Sequence, residues 1–375
     1  MATGNDKKAN PVDSIVKTNP KYLSDDVNDI YKNTSVGSLT TAIGDSFYGI
    51  NHRQTPTAIQ INKDYFGLTF FTRPKLNLSS ANLRTARIMS SLLSTNENSI
   101  QRVIRCLLDR SLHRQGINCT LIDNRQAFIP LLTNNLLSMS GWPDVSVPTN
   151  TSHEGMYKEA FSMVDGITVN YSTYDITANF RNTPGDPITA LFLAWIHYSS
   201  FVYQGVMVPY PEMIIENEID YQTRIYRLVL DSTKTKVTKI GACGASFPLS
   251  SPIGKSFDFE SDKPINSSND QISIPFRCMG AIYQDDILIN EFNRTTMVFN
   301  PGLTDSRRRG EYKKIAIEEL GIFNNKGYPR INPATYELEW WVTNEVYAYN
   351  MPLITARSNN APIFSDPNNT GITYA

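Results

Sequence analysis

Apolar and polar residues change their spacing several times along the chain, and each change marks a segment. Residues 1–55 are rich in Asn, Asp, Ser and Thr with few apolar clusters, which predicts an extended arm that wraps a neighbour. Ala58-Ile-Gln-Ile-Asn and Phe66-Gly-Leu-Thr-Phe-Phe-Thr then alternate around Asn62-Lys-Asp64, the pattern of a β-hairpin that Pro74 ends. A helical period follows. Ile100, Val103, Ile104, Leu107 and Leu108 fall on one stripe behind a Ser94-x-x-Glu97 capping box, and the flanks at 80–93 and 124–138 also predict helix. Residues 80–138 therefore predict an inserted helical module.

Beyond the loop at Trp142-Pro-Asp the period returns to two. Tyr174, Ile176, Ala178 and Phe180 share one face of a predicted strand, and Thr173, Asp175, Thr177 and Asn179 share the other. Asp186-Pro187 predicts a helix start, with Asp186 as cap, for a helix over 187–203 that buries Ile188, Leu191, Phe192, Trp195 and Val202. Strands are predicted at Thr223–Leu230 and Lys236–Cys243, joined by a tight Asp231-Ser-Thr-Lys turn, and at Gln271–Ala281. In the last, Ile272, Ile274, Phe276 and Cys278 alternate with Gln271, Ser273 and Arg277. A one-residue slip in either one-faced strand would bury its polar set, so register is strongly specified. The rest predicts a helix over Arg307–Leu320 and a strand over Tyr336–Val342.

Composition narrows the function. Lys and Arg total 35 against 36 Asp and Glu, so no global cationic field holds the chain on nucleic acid. Apolar residues make up 41% and charged residues 19%, a balance that predicts extensive protein–protein surface. The N-terminus lacks the apolar stretch of a signal peptide and no window is long enough to span a membrane, which predicts a chain made in cytoplasm without a membrane anchor.

Candidate chemistry is sparse. None of His52, His113, His153 and His197 forms a metal-ligand pair by spacing, and Cys106, His113 and Cys119 fit no standard zinc site. Cys106, Cys119, Cys243 and Cys278 read as reduced core cysteines. Gly241-Ala-Cys-Gly-Ala lacks the Lys-Ser/Thr of a phosphate loop. Glu216-Asn-Glu-Ile-Asp220 reads as solvated or intersubunit charge, and Asp305-Ser-Arg-Arg-Arg309, with Glu311, Glu318 and Glu319 following, as an intersubunit salt-bridge face. Trp340 and Trp341 point to opposite faces of a strand and cannot form one stacking platform. No catalytic, cofactor or metal residue is assigned, and the chain is expected not to be an enzyme.

The order from Trp142 to Asp286 resembles the tail-tube fold of contractile phages and related injection machines. The residues that carry the resemblance are Tyr174-Asp-Ile-Thr-Ala-Asn-Phe-Arg-Asn, then Asp186-Pro-Ile-Thr-Ala-Leu-Phe-Leu-Ala-Trp, similar to the strand and Trp-bearing helix of T4-type tube proteins. Leu230-Asp-Ser-Thr-Lys-Thr-Lys-Val-Thr-Lys-Ile-Gly, with Phe247-Pro and Phe257-Asp-Phe-Glu following, resembles their ending. The resemblance implies an α+β tail-tube-like β-sandwich or half-barrel with one packed helix, over 56–79 and 139–290, with 291–375 a C-terminal extension. It further implies a homohexameric ring whose strands join into a β-barrel, Thr173, Asp175, Thr177, Asn179, Gln271 and Ser273 facing the lumen. Trp142, Pro143, Met156 and Tyr157, in a loop too poor in local apolar neighbours to bury them, are expected to pack against the next ring. Arg277 and Arg227 depart from a lumen poor in cations. The implied partners are adjacent tail-tube and baseplate hub or sheath proteins, with DNA passing without specific binding. Size and extra segments favour a terminal ring at or near the baseplate of a virion tail assembled in host cytoplasm, where tube assembly starts and the genome is delivered. The alternatives are the repeating tail tube protein, a neck or other virion component, and a cytosolic hydrolase.

Overall fold

A computed structural model describes residues 66–167, 172–231, 233–257, 261–262, 270–323, 326–358, 363–365 and 372–374. The predicted arm at 1–55, His52 and the first strand of the predicted hairpin lie outside these residues. The central element is one antiparallel six-stranded sheet, in the order β1 (Phe66–Phe71), β6 (Ile225–Leu230), β7 (Val237–Pro248), β8 (Gln271–Tyr283), β5 (Thr173–Arg181) and β2 (Leu136–Ser140), which among the described residues does not close into a barrel.

Strand β1 (Phe66–Phe71) pairs antiparallel with the later strand β6, Phe66 opposite Leu230. After it comes a short helix α1 (Ser80–Leu83), a 3-10 turn at Arg87–Leu93 and the amphipathic helix α2 (Ile100–Leu108). The Ser94 capping box is not formed. Ser99 caps α2 instead, its hydroxyl accepting from the Arg102 amide at 3.2 Å, because the helix begins five residues later than the motif requires.

Two buried arginines fasten this region to the sheet. Arg73, just beyond β1, donates to the Leu107 carbonyl at 2.9 Å and the Cys106 carbonyl at 2.5 Å; the last carbonyls of a helix have no partner within it. Burial lowers the Arg73 pKa to about 10, so the guanidinium stays charged at neutral pH against the negative end of α2. Arg105 donates to the Leu78 carbonyl at 2.9 Å and the Ser80 hydroxyl at 3.0 Å. Leu83, Leu92, Ile104, Leu107 and Leu108 accordingly share one core with the sheet, core 1.

Helix is predicted through 124–138, but only α3 (Pro130–Asn135) forms, and Leu136–Ser140 is strand β2, paired with β5. Pairing there covers one edge of β5, and Leu136 and Met139 rest on core 1. A small hairpin, β3 (Thr149–Thr151) with β4 (Ser162–Val164), precedes β5 (Thr173–Arg181). Next is helix α4 (Pro187–Tyr203). Pro187 opens it, but Asp186 is not its side-chain cap: at φ 49° its carboxylate accepts from Asn182 Nδ2 at 2.5 Å. Ile188, Leu191, Phe192, Trp195 and Tyr198 are fully buried, with the Phe192 ring 5.6 Å from Phe276 and 5.7 Å from Phe180.

A short helix α5 (Pro211–Ile215) leads to β6 (Ile225–Leu230) and the long pair β7 (Val237–Pro248) and β8 (Gln271–Tyr283). The β6–β7 turn is held by Asp231, which accepts from the Thr235 and Lys236 amides at 2.8 and 3.1 Å. In β7 and β8, Gly280 takes a positive φ of 65°, and a side chain on Gly244 opposite it would lie 2.8 Å from the Met279 carbonyl. Two long strands cross tightly there.

The C-terminal third is more structured than a polar extension. Helix α6 (Asp286–Phe299) is capped by Asp285, which accepts from the Ile287 amide at 2.9 Å. Leu288, Ile289 and Phe292 pack with Tyr226, Leu228, Ile240 and others as core 2, on the sheet face opposite core 1. The predicted helix over 307–320 stops early. Helix α7 (Asp305–Glu311) gives way to β9 (Tyr312–Ile315), which pairs with β11 (Leu338–Thr343), itself paired with β10 (Tyr328–Ile331). Burying Tyr312 and Ile315 at the two ends of β9 outweighs continuing the helix. The basic run is also not an intersubunit face at Arg308, which is buried, donates to Asp305 at 2.7 Å and lies 5.0 Å over the Trp341 ring. Glu339, also buried, accepts from Arg330 at 3.1 Å and Lys314 at 3.3 Å. Trp340 packs on core 2 and Trp341 on a separate cluster with Tyr312 and Tyr328.

Candidate assembly surfaces

The two one-faced strands lie side by side. Ile176 stands opposite Phe276, Ala178 opposite Ile274 and Phe180 opposite Ile272, all six buried in core 1 beneath α4. Their partners of the other parity face away from that core. Thr173, Asp175, Gln271 and Ser273 are exposed, and Thr177 and Asn179 are partly so. Tyr174 lies partly buried against core 1, its hydroxyl donating to the Gly280 carbonyl at 3.2 Å.

Arg277 is not a free cation on this face. It stands directly opposite Asp175, with Nε 2.5 Å from Oδ1 and Nη2 3.2 Å from Oδ2, a two-point pair that cancels both charges locally. Asn179 donates to the Ser138 hydroxyl at 2.8 Å, which ties β2 onto the same face. Arg227 is half-buried and donates to the Thr69 hydroxyl at 2.8 Å. The face therefore combines hydroxyls, amides and one neutralised pair.

The second surface grows from the 141–167 loop. Gly141, at φ 104°, brings the chain so close to β5 that a Cβ would sit 2.3 Å from the Asp175 carbonyl, which fixes the root of the loop. Trp142, expected to leave its own core for the next ring, is half-buried against core 1, its ring 6.1 Å from Tyr283. The Tyr283 hydroxyl donates to the Pro143 carbonyl at 2.6 Å, so this end of the loop is anchored. The local sequence around Trp142 is poor in apolar residues, but its packing partners arrive from β8.

Beyond the anchor the β3–β4 hairpin projects. The Ser152 amide donates to the Phe161 carbonyl at 2.8 Å and the Phe161 amide to the Ser152 hydroxyl at 2.9 Å, with a tip closed by Gly155 and Glu159. Met156 is 88% and Tyr157 85% exposed, and Val145, Phe161, Val164 and Ile167 are each more than half exposed. Exposed apolar side chains at this density, on one hairpin and its flanks, are more than a surface in water usually carries. Met156 and Tyr157 are the two expected from the sequence; the others are not, and their signal is the alternation Val145-x-Val147 and Phe161-x-Met163.

Candidate chemistry does not converge. His113 Nδ1 is 2.7 Å from Asn118 Oδ1, and the His197 ring stacks on Phe201 at 6.0 Å between centroids. The four cysteines are buried free thiols. Of the 216–220 carboxylates, Asp220 is buried and accepts from the Tyr198 hydroxyl, while Glu216 and Glu218 are exposed. Among the described residues no group of three or more His, Cys, Asp or Glu side chains could hold a metal, and no helix is long and apolar enough to cross a membrane.

No curated protein matches the chain. Faint likenesses link it to solved structures of contractile injection systems. The tube-terminating cap of the anti-feeding prophage is 17% identical over 42% of this chain and 82% of its own, with a TM-score of 0.25. A chain of the PVC sheath–tube complex in the extended state is 20% identical over the same shares, also at 0.25. A family model described as "Putative phage tail tube protein" matches residues 5–357, nearly the whole sequence, and the chain belongs to that family.

Proposed function

We propose that the chain forms a homohexameric ring of the central tail tube, at or near the baseplate, in which neighbouring copies close the open sheet into a barrel. The observation that carries this reading is the sheet itself, apolar on one face of β5 and β8 and polar on the other, with edge strands β1 and β2 that are not joined to each other among the described residues. Joining edges between copies removes them. In that ring Thr173, Asp175, Thr177, Asn179, Gln271 and Ser273 face the lumen, and the Asp175–Arg277 pair keeps the wall locally neutral, so that passing DNA meets no cationic trap. Met156 and Tyr157, on the projecting hairpin, pack against the adjacent ring or hub protein, while Trp142 and Pro143 brace its root.

The C-terminal third supports a terminal ring over a repeating one. Helix α6 and the β9–β11 sheet form a second core beyond what the tube wall requires, and this added body offers surface for the hub. The role is structural rather than enzymatic, as the family implies. Copy number in purified particles separates the alternatives. About six copies per particle fit one terminal ring, whereas tens to hundreds fit the repeating tube. Replacing Met156 and Tyr157 together by Ser should abolish ring stacking while shifting monomer stability by no more than about 0.5 kcal/mol. Normal tails from that variant would remove the hairpin from the assembly contact.

A further inference from the structure

A second apolar surface lies away from the hairpin, on the corner between the end of α4 and α5. Tyr203 is 93% and Ile215 80% exposed, and Val206, Val208, Ile214 and Ile219 in the same stretch of chain are exposed as well. The corner is rigidly built. Asn77 and Asn82 both donate to the Val208 carbonyl, at 2.8 and 3.1 Å, and the Val208 amide donates back to Asn82 Oδ1 at 3.1 Å. Met207 and Met213 meanwhile turn into the body and are buried. The exposed side chains are thus held outward by a fixed backbone, as at a docking site.

Charge selects the occupant. Glu212, Glu216 and Glu218 are exposed at the corner, and among the described residues Glu212 is near Arg110 and Glu218 pairs with Lys75 at 3.6 Å, which leaves the corner with more carboxylates than cations. The projecting hairpin would be repelled, because residues 144–167 carry Asp144, Glu154, Glu159 and Asp165 against one cation, Lys158. The C-terminal residues 359–375 carry no Lys or Arg. The N-terminal residues differ. Between 12 and 23 the chain places Val12, Ile15, Val16, Tyr22 and Leu23 beside Lys17 and Lys21, with Asp13 the sole carboxylate. Forty-odd residues separate this segment from β1, and an extended chain covers about 3.3 Å per residue, so reach sets no obstacle.

We propose that residues 12–23 of this chain dock on the corner formed by α4 and α5, apolar side chains on Tyr203 and Ile215 and lysines toward Glu212 and Glu216. The proposal does not depend on the tube reading. It is tested in the full-length chain, whose described native cysteines are buried. Val16→Cys combined with Ile215→Cys should form a disulfide under mild oxidation with a yield several-fold above that of Val16→Cys combined with Ala334→Cys, an exposed position elsewhere. Reversing Glu212 and Glu216 to Lys should lower that yield, and adding Lys17→Glu and Lys21→Glu should restore it. As an independent readout, Ile215→Cys alone should react with a maleimide several-fold more slowly than Ala334→Cys, and speed up once Lys17 and Lys21 are Glu. Yields equal to the control pair, or yields and rates indifferent to these charges, would overturn the proposal and leave the corner to another protein.

Discussion

The six-stranded sheet has one face that meets core 1, and the two halves of its opposite face have different fates. Under β1, β6 and β7 that opposite face is sealed by α6, where Phe292 lies 5.2 Å from Phe70, 5.0 Å from Phe128 and 5.4 Å from Tyr226. Under β5 and β8 it carries Asp175, Arg277, Gln271 and Ser273 and is open. The strands themselves state the difference. In β6 apolar residues stand on both parities, Ile225 and Val229 with the half-buried Arg227 between them on one side and the buried Tyr226, Leu228 and Leu230 on the other, closer to a strand covered on both faces. In β5 and β8 only one parity is apolar, so only one face is finished within the monomer. The closed half makes the fold and the open half is what assembly can use.

The largest expected effect comes from breaking the closed half. Phe292→Ala empties the centre of a four-ring aromatic cluster and should cost about 3–5 kcal/mol in urea unfolding of the isolated chain. Phe276→Ala, in core 1 between Phe71 and Phe192, should cost a similar amount. If the Phe292 variant lost under 1 kcal/mol, α6 would be an appendage, and the contrast between the halves would fail.

A smaller effect lies where α4 meets the chain before β6. The Tyr198 hydroxyl accepts from the Asn77 amide at 3.1 Å and donates to the buried carboxylate of Asp220. Burial pushes the Asp220 carboxyl above its ordinary pKa, although the tyrosine hydrogen bond opposes the shift. A raised carboxyl pKa favours the neutral form in the fold, so the stability it contributes is fully present below the unfolded-state pKa and lost as pH rises through the folded one. Tyr198→Phe, which leaves the carboxylate without this donor, should cost about 1–3 kcal/mol at neutral pH and less in acid. Asp220→Asn removes the charge, so the stability of the native chain relative to this variant should be greater near pH ~3 than near pH ~7. Unfolding curves across that range check the sign, and a difference that moved the other way would mean that Asp220 is held ionised.

How much of this was legible depends on whether the pattern was local. The parity of β5 and β8 and the apolar face of α4 were readable because period-two and helical spacing sit in contiguous residues. Tail-tube resemblance rested on that same stretch. Other features hinge on distant partners. Residues 136–138 read as helix until β5 supplies an edge to pair with, and Tyr312–Ile315 until β11 does. Trp142 looked unburiable because Tyr283, its packing partner, is more than a hundred residues away. Arg277 looked anomalous on a polar wall until register placed Asp175 opposite it. The helix over 286–299 has only a weak local signal, Asp285 ahead of an Ile-Leu-Ile run, and its apolar face is explained only by the sheet beneath it.

The Asp175–Arg277 pair tests the open half directly. Both side chains are about half exposed, so solvent screens their attraction, and Arg277→Ala or Asp175→Ala should change monomer stability by only about 0–1 kcal/mol. Either variant leaves one charge uncompensated on the face, and the two differ in sign. Under the ring reading, Asp175→Ala lines the lumen with unpaired arginines and should slow DNA release from assembled particles, more so at low salt, while Arg277→Ala should not. Equal effects of the two variants on release would separate this face from the DNA path.

Smallest for the monomer, and most decisive for the comparison, are cysteines on the same face. Thr177 and Ser273 project away from core 1, so Thr177→Cys and Ser273→Cys should leave unfolding within about 0.5 kcal/mol of the unmodified chain. Because the described native thiols are buried, a maleimide should label these two positions readily in the isolated chain. Assembly should change their access and not that of the exposed control Ala334→Cys. In intact tails a bulky maleimide that cannot enter the tube should leave both unlabelled, while a small one reaches them through the open end. Label appearing at Thr177→Cys from a reagent too large for the lumen would place this face on the outside of the particle, and the open half of the sheet would then face a partner other than the next copy of itself.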